Sequence, residues 1–268
     1  MYLSISDNDV VFLVPDEDSP KEYYGSKLCF LDDGVNHNKK MICICEGNTL
    51  DYDPVQDVYI LPHGIDNFQY CFLLRLIIDT EQVKRGNLPL HAAAVSNGSH
   101  IFIIAAPSGR GKSFISDTIC SMFPDYKVIG DDHIILTSTH IQGNIERRIR
   151  DKNGKHIGYV ANSGLCKICP ITWVCMSQKE NDLSPVFLSQ EEALNKFAEA
   201  SAFKYLNEIF VHNNIRYPAS VLADYEINQL YQSNFYKFLN SNRVLFLCGT
   251  PLNAVHVISD LIRKGEIQ

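Results

Sequence analysis

The stretch "LHAAAVSNGSHIFIIAAPSGRGKS", Leu90 to Ser113, sets two apolar runs around an Asn-Gly pair and ends in small residues and a lysine. Asn97-Gly98 readily takes the positive φ angles of a type I′ turn, which predicts a β-hairpin whose second strand is "HIFIIAAP". The following "KSFISDTICSMF" places Phe114, Ile115, Ile119 and Met122 where a helix can pack them. A buried strand thus runs through a glycine-bearing loop into a helix, and the positive end of that helix faces the loop.

The loop itself, "APSGRGKS" from Ala106 to Ser113, matches the phosphate-binding pattern with alanine in place of the first glycine. Gly109 and Gly111 let backbone N–H groups converge on an anion. Lys112 can reach β and γ phosphates, and the Ser113 hydroxyl can hold Mg²⁺. Ala106, Pro107, Ser108, Gly109, Arg110, Gly111, Lys112 and Ser113, with Phe114 following them, are the candidate nucleotide-binding residues.

A nucleotide loop needs an acid to hold its metal. About 18 residues on, "VIGDD" puts Asp131 and Asp132 after an apolar strand of the kind expected to lie beside the loop's own strand. The surrounding "YKVIGDDHIILT" reads as one continuous strand. Either aspartate can bind Mg²⁺, directly or through water, while the other accepts a proton from an attacking hydroxyl; paired carboxylates in different surroundings take different roles. His91 precedes the hairpin and shares a strand face with Ala93 and Val95 by period-two alternation. By itself it reads as a core histidine.

Outside this region the chain divides near residue 66. Before it, "VVFLV", "KLCFL" and "KMICICEG" are short strand-like runs between Asp, Asn, Gly and Pro clusters, which predicts a small, mostly antiparallel unit over 1–66. After it, the spacing of Phe68, Cys71, Phe72 and Ile78 predicts a helix from about Asn67 to Lys84 that breaks at Gly86 and Pro89. Its core, "YCFLLRLII", is interrupted by Arg75 and is far shorter than the roughly 20 residues of a membrane span. The C-terminal "NRVLFLCGTPLNAVHVISDLIRKG" reads as strand, turn and helix. In "ERRIRDKNGK", Arg147, Arg148 and Arg150 are candidates to neutralise a transferring phosphoryl group, although such basic runs usually face solvent.

Composition narrows the function classes. The chain has 268 residues, 46% apolar and 21% charged, enough to build a sizeable core. With 24 basic against 31 acidic side chains, the net charge of −7 gives no general pull toward nucleic acid or anionic membrane. The start "MYLSISDNDVVFLVPDEDSP" lacks the basic and apolar regions of a signal peptide, so a cytoplasmic location is expected. Nine cysteines in such a chain are expected to be reduced thiols. "CKICPITWVC" has a CxxC, Cys166 and Cys169, but no second metal-binding pair, and with Ile168, Ile171 and Val174 interleaved it reads as packing.

Taken together, "LHAAAV", the Asn-Gly turn, "IIAAPSGRGKS" and "VIGDD" resemble the HPr kinase/phosphorylase superfamily, especially the related kinases that modify ribosomally made peptides such as lasso-peptide precursors. The same order of elements resembles the nucleotide core of ATP-type phosphoenolpyruvate carboxykinase. The resemblance is densest over Pro89 to Leu136. It implies an α/β fold with a phosphate-loop kinase domain over 67–268 behind the β-rich unit. It also implies ATP on Ala106 to Ser113 and Mg²⁺ on Ser113 and one of Asp131 and Asp132, with the other aspartate acting beside His91 on the acceptor hydroxyl. Bacterial HPr kinases carry an acidic residue where this chain has Phe114, and their Gly-rich downstream segment has no counterpart here. The implied acceptor is therefore a Ser or Thr hydroxyl on another peptide or protein, and relatives of this kind assemble into homo-oligomers. A nucleotide-binding regulator without transfer activity and a small-molecule kinase are the alternative functions.

Overall fold

A computed structural model describes residues 2–5, 10–13, 40–56, 58–65, 67–106, 109–144, 146–150, 156–176, 183–197, 209–212, 215–218, 222, 225–239, 243–248 and 250–265. The architecture is mixed α/β with several sheets. Strands β1 (Tyr2–Ile5), β2 (Val10–Leu13), β3 (Lys40–Gly47), β4 (Asp51–Asp53) and β5 (Val58–Pro62) form a sheet in the order β1-β2-β3-β5-β4. In it β2, β3 and β5 run parallel and only the two edge strands are antiparallel to their neighbours. The leading unit is thus mixed rather than mostly antiparallel; "KLCFL" lies outside the described residues.

Helix α1 (Asn67–Lys84) has the expected bounds. Its second half is buried nearly all round, from Leu73 and Leu74 through Ile78 to Val83, rather than along one face. The Tyr59 hydroxyl donates to Glu81 (2.8 Å) and Lys84 pairs with the same carboxylate (2.7 Å), fastening α1 to β5. The chain then continues through β6 (Leu88–Leu90), β7 (Ala93–Ser96), β8 (Ile101–Ala105), α2 (Lys112–Met122), β9 (Lys127–Gly130), β10 (Ile134–Leu136) and β11 (His140–Gly143). The hairpin β12 (Glu146–Arg150) and β13 (His156–Ala161) leads to β14 (Leu165–Lys167), β15 (Ile171–Met176), β16 (Leu183–Phe187) and α3 (Gln190–Phe197). A last hairpin, β17 (Ile209–His212) and β18 (Ile215–Pro218), precedes α4 (Tyr225–Leu239), β19 (Arg243–Cys248) and α5 (Pro251–Lys264).

A six-stranded sheet in the order β16-β19-β15-β8-β7-β9 centres the region that follows α1. Strands β8, β15 and β19 are parallel, as a doubly covered sheet of continuous Ile/Val/Leu runs favours. Phe102 and Ile104 of β8 pack with Ile115, Ile119, Val255 and Ile258 under α2 and α5. Ile101 and Ile103 face the opposite cluster, with Trp173, Phe235 and the buried residues of α1. A smaller sheet, β14-β11-β10-β6, lies beyond.

Three local expectations change. "YKVIGDDHIILT" is two strands in two sheets, because Asp132 adopts a left-handed φ of 77° that breaks the extended run between β9 and β10. The Asn97-Gly98 loop is four residues long, with Ser96 opposite Ile101, and only Gly98 has positive φ; Asn97 instead uses its side chain to accept the Ser99 and His100 amides. On α2, Ile115 and Ile119 are buried as expected, whereas Phe114 and Met122 are exposed. Cys120, Cys166, Cys169 and Cys175 are free thiols. Among the described residues, no helix is long and apolar enough to cross a membrane and no group of three or more His, Cys, Asp or Glu could hold a metal ion.

Gly130 at the end of β9 and Gly143 at the end of β11 approach so closely that a Cβ on either would strike the other's Cα. Gly143→Ala is therefore expected to destabilise the protein by about 2–3 kcal/mol, the upper range of overpacking costs, because backbone has to move. A denaturant midpoint equal to the parent's would show that the two glycines are not in contact.

Candidate functional site

Strand directions bring the expected residues to one edge. Antiparallel β7 lies between β8 and β9, so β8 and β9 run the same way without touching, and both open at their carboxyl ends toward the same side. The acidic strand is thus one strand removed from the loop's strand rather than beside it. Ligand sites in open α/β sheets form at such carboxyl ends.

From β8 the chain enters the loop. Gly109 and Gly111 take φ of 77° and 83°, conformations that side chains rarely adopt. A Cβ on Gly111 would also strike Pro251, at 2.6 Å from its Cγ, so the first residue of α5 abuts the loop. Gly109 and Arg110 are exposed, and Pro107 and Ser108 lie outside the described residues. Lys112 is 7% exposed and its Nζ donates to the Ala106 carbonyl at 2.9 Å, closing the loop on itself. Phe114 points outward, 51% exposed.

The Ser113 hydroxyl donates to Asp131 Oδ2 at 2.7 Å. The amide of Asp131 in turn donates to Asn144 Oδ1 at 2.7 Å, a contact delivered by the Gly130–Gly143 approach one residue earlier. Burial pushes the Asp131 carboxyl above the usual range. The Ser113 hydrogen bond opposes this, the neighbouring charges of Asp132 and Asp117 add to it, and Arg147 opposes it. Arg147, on β12, reaches the site's flank by pairing with Asp117 of α2 and bonding Asn162. The side chains of Arg148 and Arg150 lie outside the described residues.

Asp132 faces the other way. Its Oδ1 lies 3.3 Å from Nδ1 of His91, which is half-buried and sits in the bend between β6 and β7. The meeting follows from register: Ala94 opposes Gly130 in the large sheet and Leu90 opposes Ile134 in the small one, so His91 and Asp132 are carried across the same gap. Asp132 also meets Arg75 of α1, whose Nη2 donates to the Asp132 carbonyl at 2.9 Å. Arg75, Asp79, His133, Asp117 and Asn144 are site residues that motif spacing did not reveal. The one signal was a charged pair four residues apart in the otherwise apolar "RLIID".

No protein-family model and no curated protein matches the chain. It is similar to a solved structure of the Hpr(Ser) kinase/phosphatase from Coxiella burnetii, with 11% identity, 66% of this chain and 92% of that chain covered, and a TM-score of 0.30.

The raised Asp131 pKa has a stability consequence. The native chain holds this proton to higher pH than the unfolded chain does, so in buffer free of divalent cations stability falls as pH rises from the ordinary carboxylate range through the raised value. Asp131→Asn keeps an acceptor for Ser113 and removes the buried charge. It is expected to flatten that fall and raise the melting temperature at pH 7 by about 2–4 °C, the effect of about 1 kcal/mol in a chain of this size. A lower melting temperature for the variant would contradict this electrostatic picture.

Proposed function

We propose that this chain is an ATP-dependent phosphotransferase of the HPr-kinase-like kind, moving the γ-phosphoryl group of ATP to a serine or threonine hydroxyl of a peptide or protein. The observation that carries the reading is the 2.7 Å contact of Ser113 with Asp131 at the head of α2, directly behind a glycine loop and beside the Asp132–His91 pair. The loop and the head of α2 offer backbone donors to phosphates. Lys112 exchanges its bond to the Ala106 carbonyl for the terminal phosphates.

Ser113 and Asp131 fit a magnesium ion: both are hard oxygen donors, and a buried carboxylate flanked by Asp117 and Asp132 gains most from a cation. The ion would supply charge neutralisation on the transferring group. That leaves Asp132 as the base. In the step, the acceptor oxygen bonds to the γ phosphorus, the bond to the bridging oxygen breaks with its electrons leaving on ADP, and the hydroxyl proton passes to Asp132. His91 orients the carboxylate, donating from Nδ1. A regulator that only bound nucleotide would use the loop and Ser113 but would have no work for the Asp132–His91 pair, and this pair favours transfer. In this reading the β-rich unit over 1–66 helps recognise the acceptor, and the enzyme acts in the cytoplasm as a homo-oligomer, without nucleic acid or membrane.

Incubation with γ-labelled ATP, Mg²⁺ and an array of serine- and threonine-containing peptides tests the reading: label is expected in peptide, and label only in a small metabolite or nowhere would contradict it. Lys112→Ala is expected to abolish transfer with the fold intact, since it removes the charge that meets the terminal phosphates. Ser113→Ala is expected to raise the Mg²⁺ concentration needed for half-maximal rate; overlaid magnesium titrations would exclude Ser113 as a ligand. Asp132→Asn is expected to lower turnover by roughly 10²- to 10⁴-fold with nucleotide affinity little changed, whereas Asp131→Asn weakens Mg·ATP binding as well.

A further inference from the structure

Asp132 is, among the described residues, the one non-glycine in a left-handed backbone conformation. Such a conformation is costly for a residue with a side chain and persists only where its surroundings over-determine it. Here the surroundings are two side chains of α1, one helical turn apart. Arg75 donates from Nη2 to the Asp132 carbonyl at 2.9 Å, and its Nη1 lies 3.9 Å from Asp132 Oδ2 and 3.5 Å from His91 Nδ1. Asp79 holds the next residue: its Oδ1 is 2.8 Å from His133 Nε2, with both side chains at most 2% exposed. The two grips are joined, because Asp79 Oδ2 and Arg75 Nε face each other at 3.9 Å.

We propose that Arg75 and Asp79 are positioning residues: together they clamp the Asp132–His133 corner so that the Asp132 carboxylate is presented to His91 and the acceptor. The proposal rests on the phosphotransfer reading above. A buried ionic chain of this kind is a poor way to stabilise a helix, since packed apolar residues of similar volume usually do as well or better. What it does here is geometric. His91 Nδ1 stands between an acceptor, Asp132 Oδ1, and a donor, Arg75 Nη1, and one nitrogen cannot serve both. With the proton on Nδ1 the ring donates to Asp132. Arg75, anchored on the carbonyl of the same aspartate, keeps the carboxylate from turning away. The fork of the guanidinium spans carbonyl, carboxylate and imidazole at once, which a lysine ammonium cannot.

The test uses the full chain, with γ-labelled Mg·ATP and water as the acceptor, reading release of inorganic phosphate beside the Kd for Mg·ATP. Arg75→Lys is expected to lower kcat roughly 10²-fold, the effect of a small misplacement of a reacting group, with the Kd within about twofold. Arg75→Ala is expected to regain part of the lost rate when guanidinium is added at millimolar concentration, a rescue that a merely structural role would not show. The ligand-free protein gives a second readout. In imidazole nitrogen-proton spectra, assigned with His91→Gln, the His91 signals are expected to move in Arg75→Lys, while those of His100, held by Thr172 at the far end of β8, stay in place. Parental kcat in Arg75→Lys, or a loss that tracks the folded fraction and resists guanidinium, would overturn the proposal. If the parent releases no phosphate to water, kcat is read instead as label entering peptide, whose absence overturns the phosphotransfer reading, and the spectra still judge the clamp: unmoved His91 signals overturn it.

Discussion

Two antiparallel segments cross side by side between the small sheet and the large one, β6 into β7 and β9 into β10, and the candidate acid–histidine pair hangs from that double crossing. Because the pairing keeps one register on both sides of the gap, His91 and Asp132 are forced into adjacency although 41 positions separate them in sequence. The same crossing requires the chain to turn sharply after Gly130, and the turn is made at Asp132 with a left-handed φ. Asp131, one residue earlier, is left facing Ser113 at the head of α2. A strand break that costs backbone energy therefore points the two carboxylates of an Asp-Asp dipeptide apart, one toward Ser113 behind the glycine loop and the other toward the histidine.

The electrostatics of the site follow from that division. Asp131 is buried and flanked by other acids, so its charged form is poorly supported by the protein alone. Asp132 is more open and sits by Arg75. Arg147 and Asp117 pair at the flank of α2. Under the proposed phosphotransfer, the arrangement would exchange stability for readiness to receive a cation and an anion together, as strained and charged positions at functional sites commonly do.

Sequence reading singled out the loop and the two aspartates because each carries a local mark, the glycine spacing of "SGRGKS" and the acids closing an apolar run; His91 enters only through the family resemblance, since by itself it reads as a core histidine in a strand, whereas it sits in the bend between β6 and β7. It also placed α1 with its observed bounds and the terminal strand, turn and helix in their observed order. It could not separate the two aspartates, since their difference lies in the break after Gly130, and that break is fixed by pairing with β6 and by the Gly130–Gly143 approach, both long-range. For the same reason β7 was not foreseen between β8 and β9. Arg75 and Asp79 carried a weak mark, a charged pair in an apolar helix, whose meaning depends on where α1 docks. Phe114 and Met122 fit a helical pattern yet face solvent, because α5 and the sheet cover only the Ile115–Ile119 side of α2.

The most direct measurement is a crystal structure of the full chain with Mg²⁺ and the non-hydrolysable analogue AMP-PNP. The account predicts the triphosphate over Gly109 to Ser113, with Lys112 released from the Ala106 carbonyl onto the terminal phosphates, a magnesium ion against Ser113 and Asp131, and Asp132 still on His91. A nucleotide bound elsewhere, or a loop that stays closed on Lys112 with the analogue in excess, would contradict it.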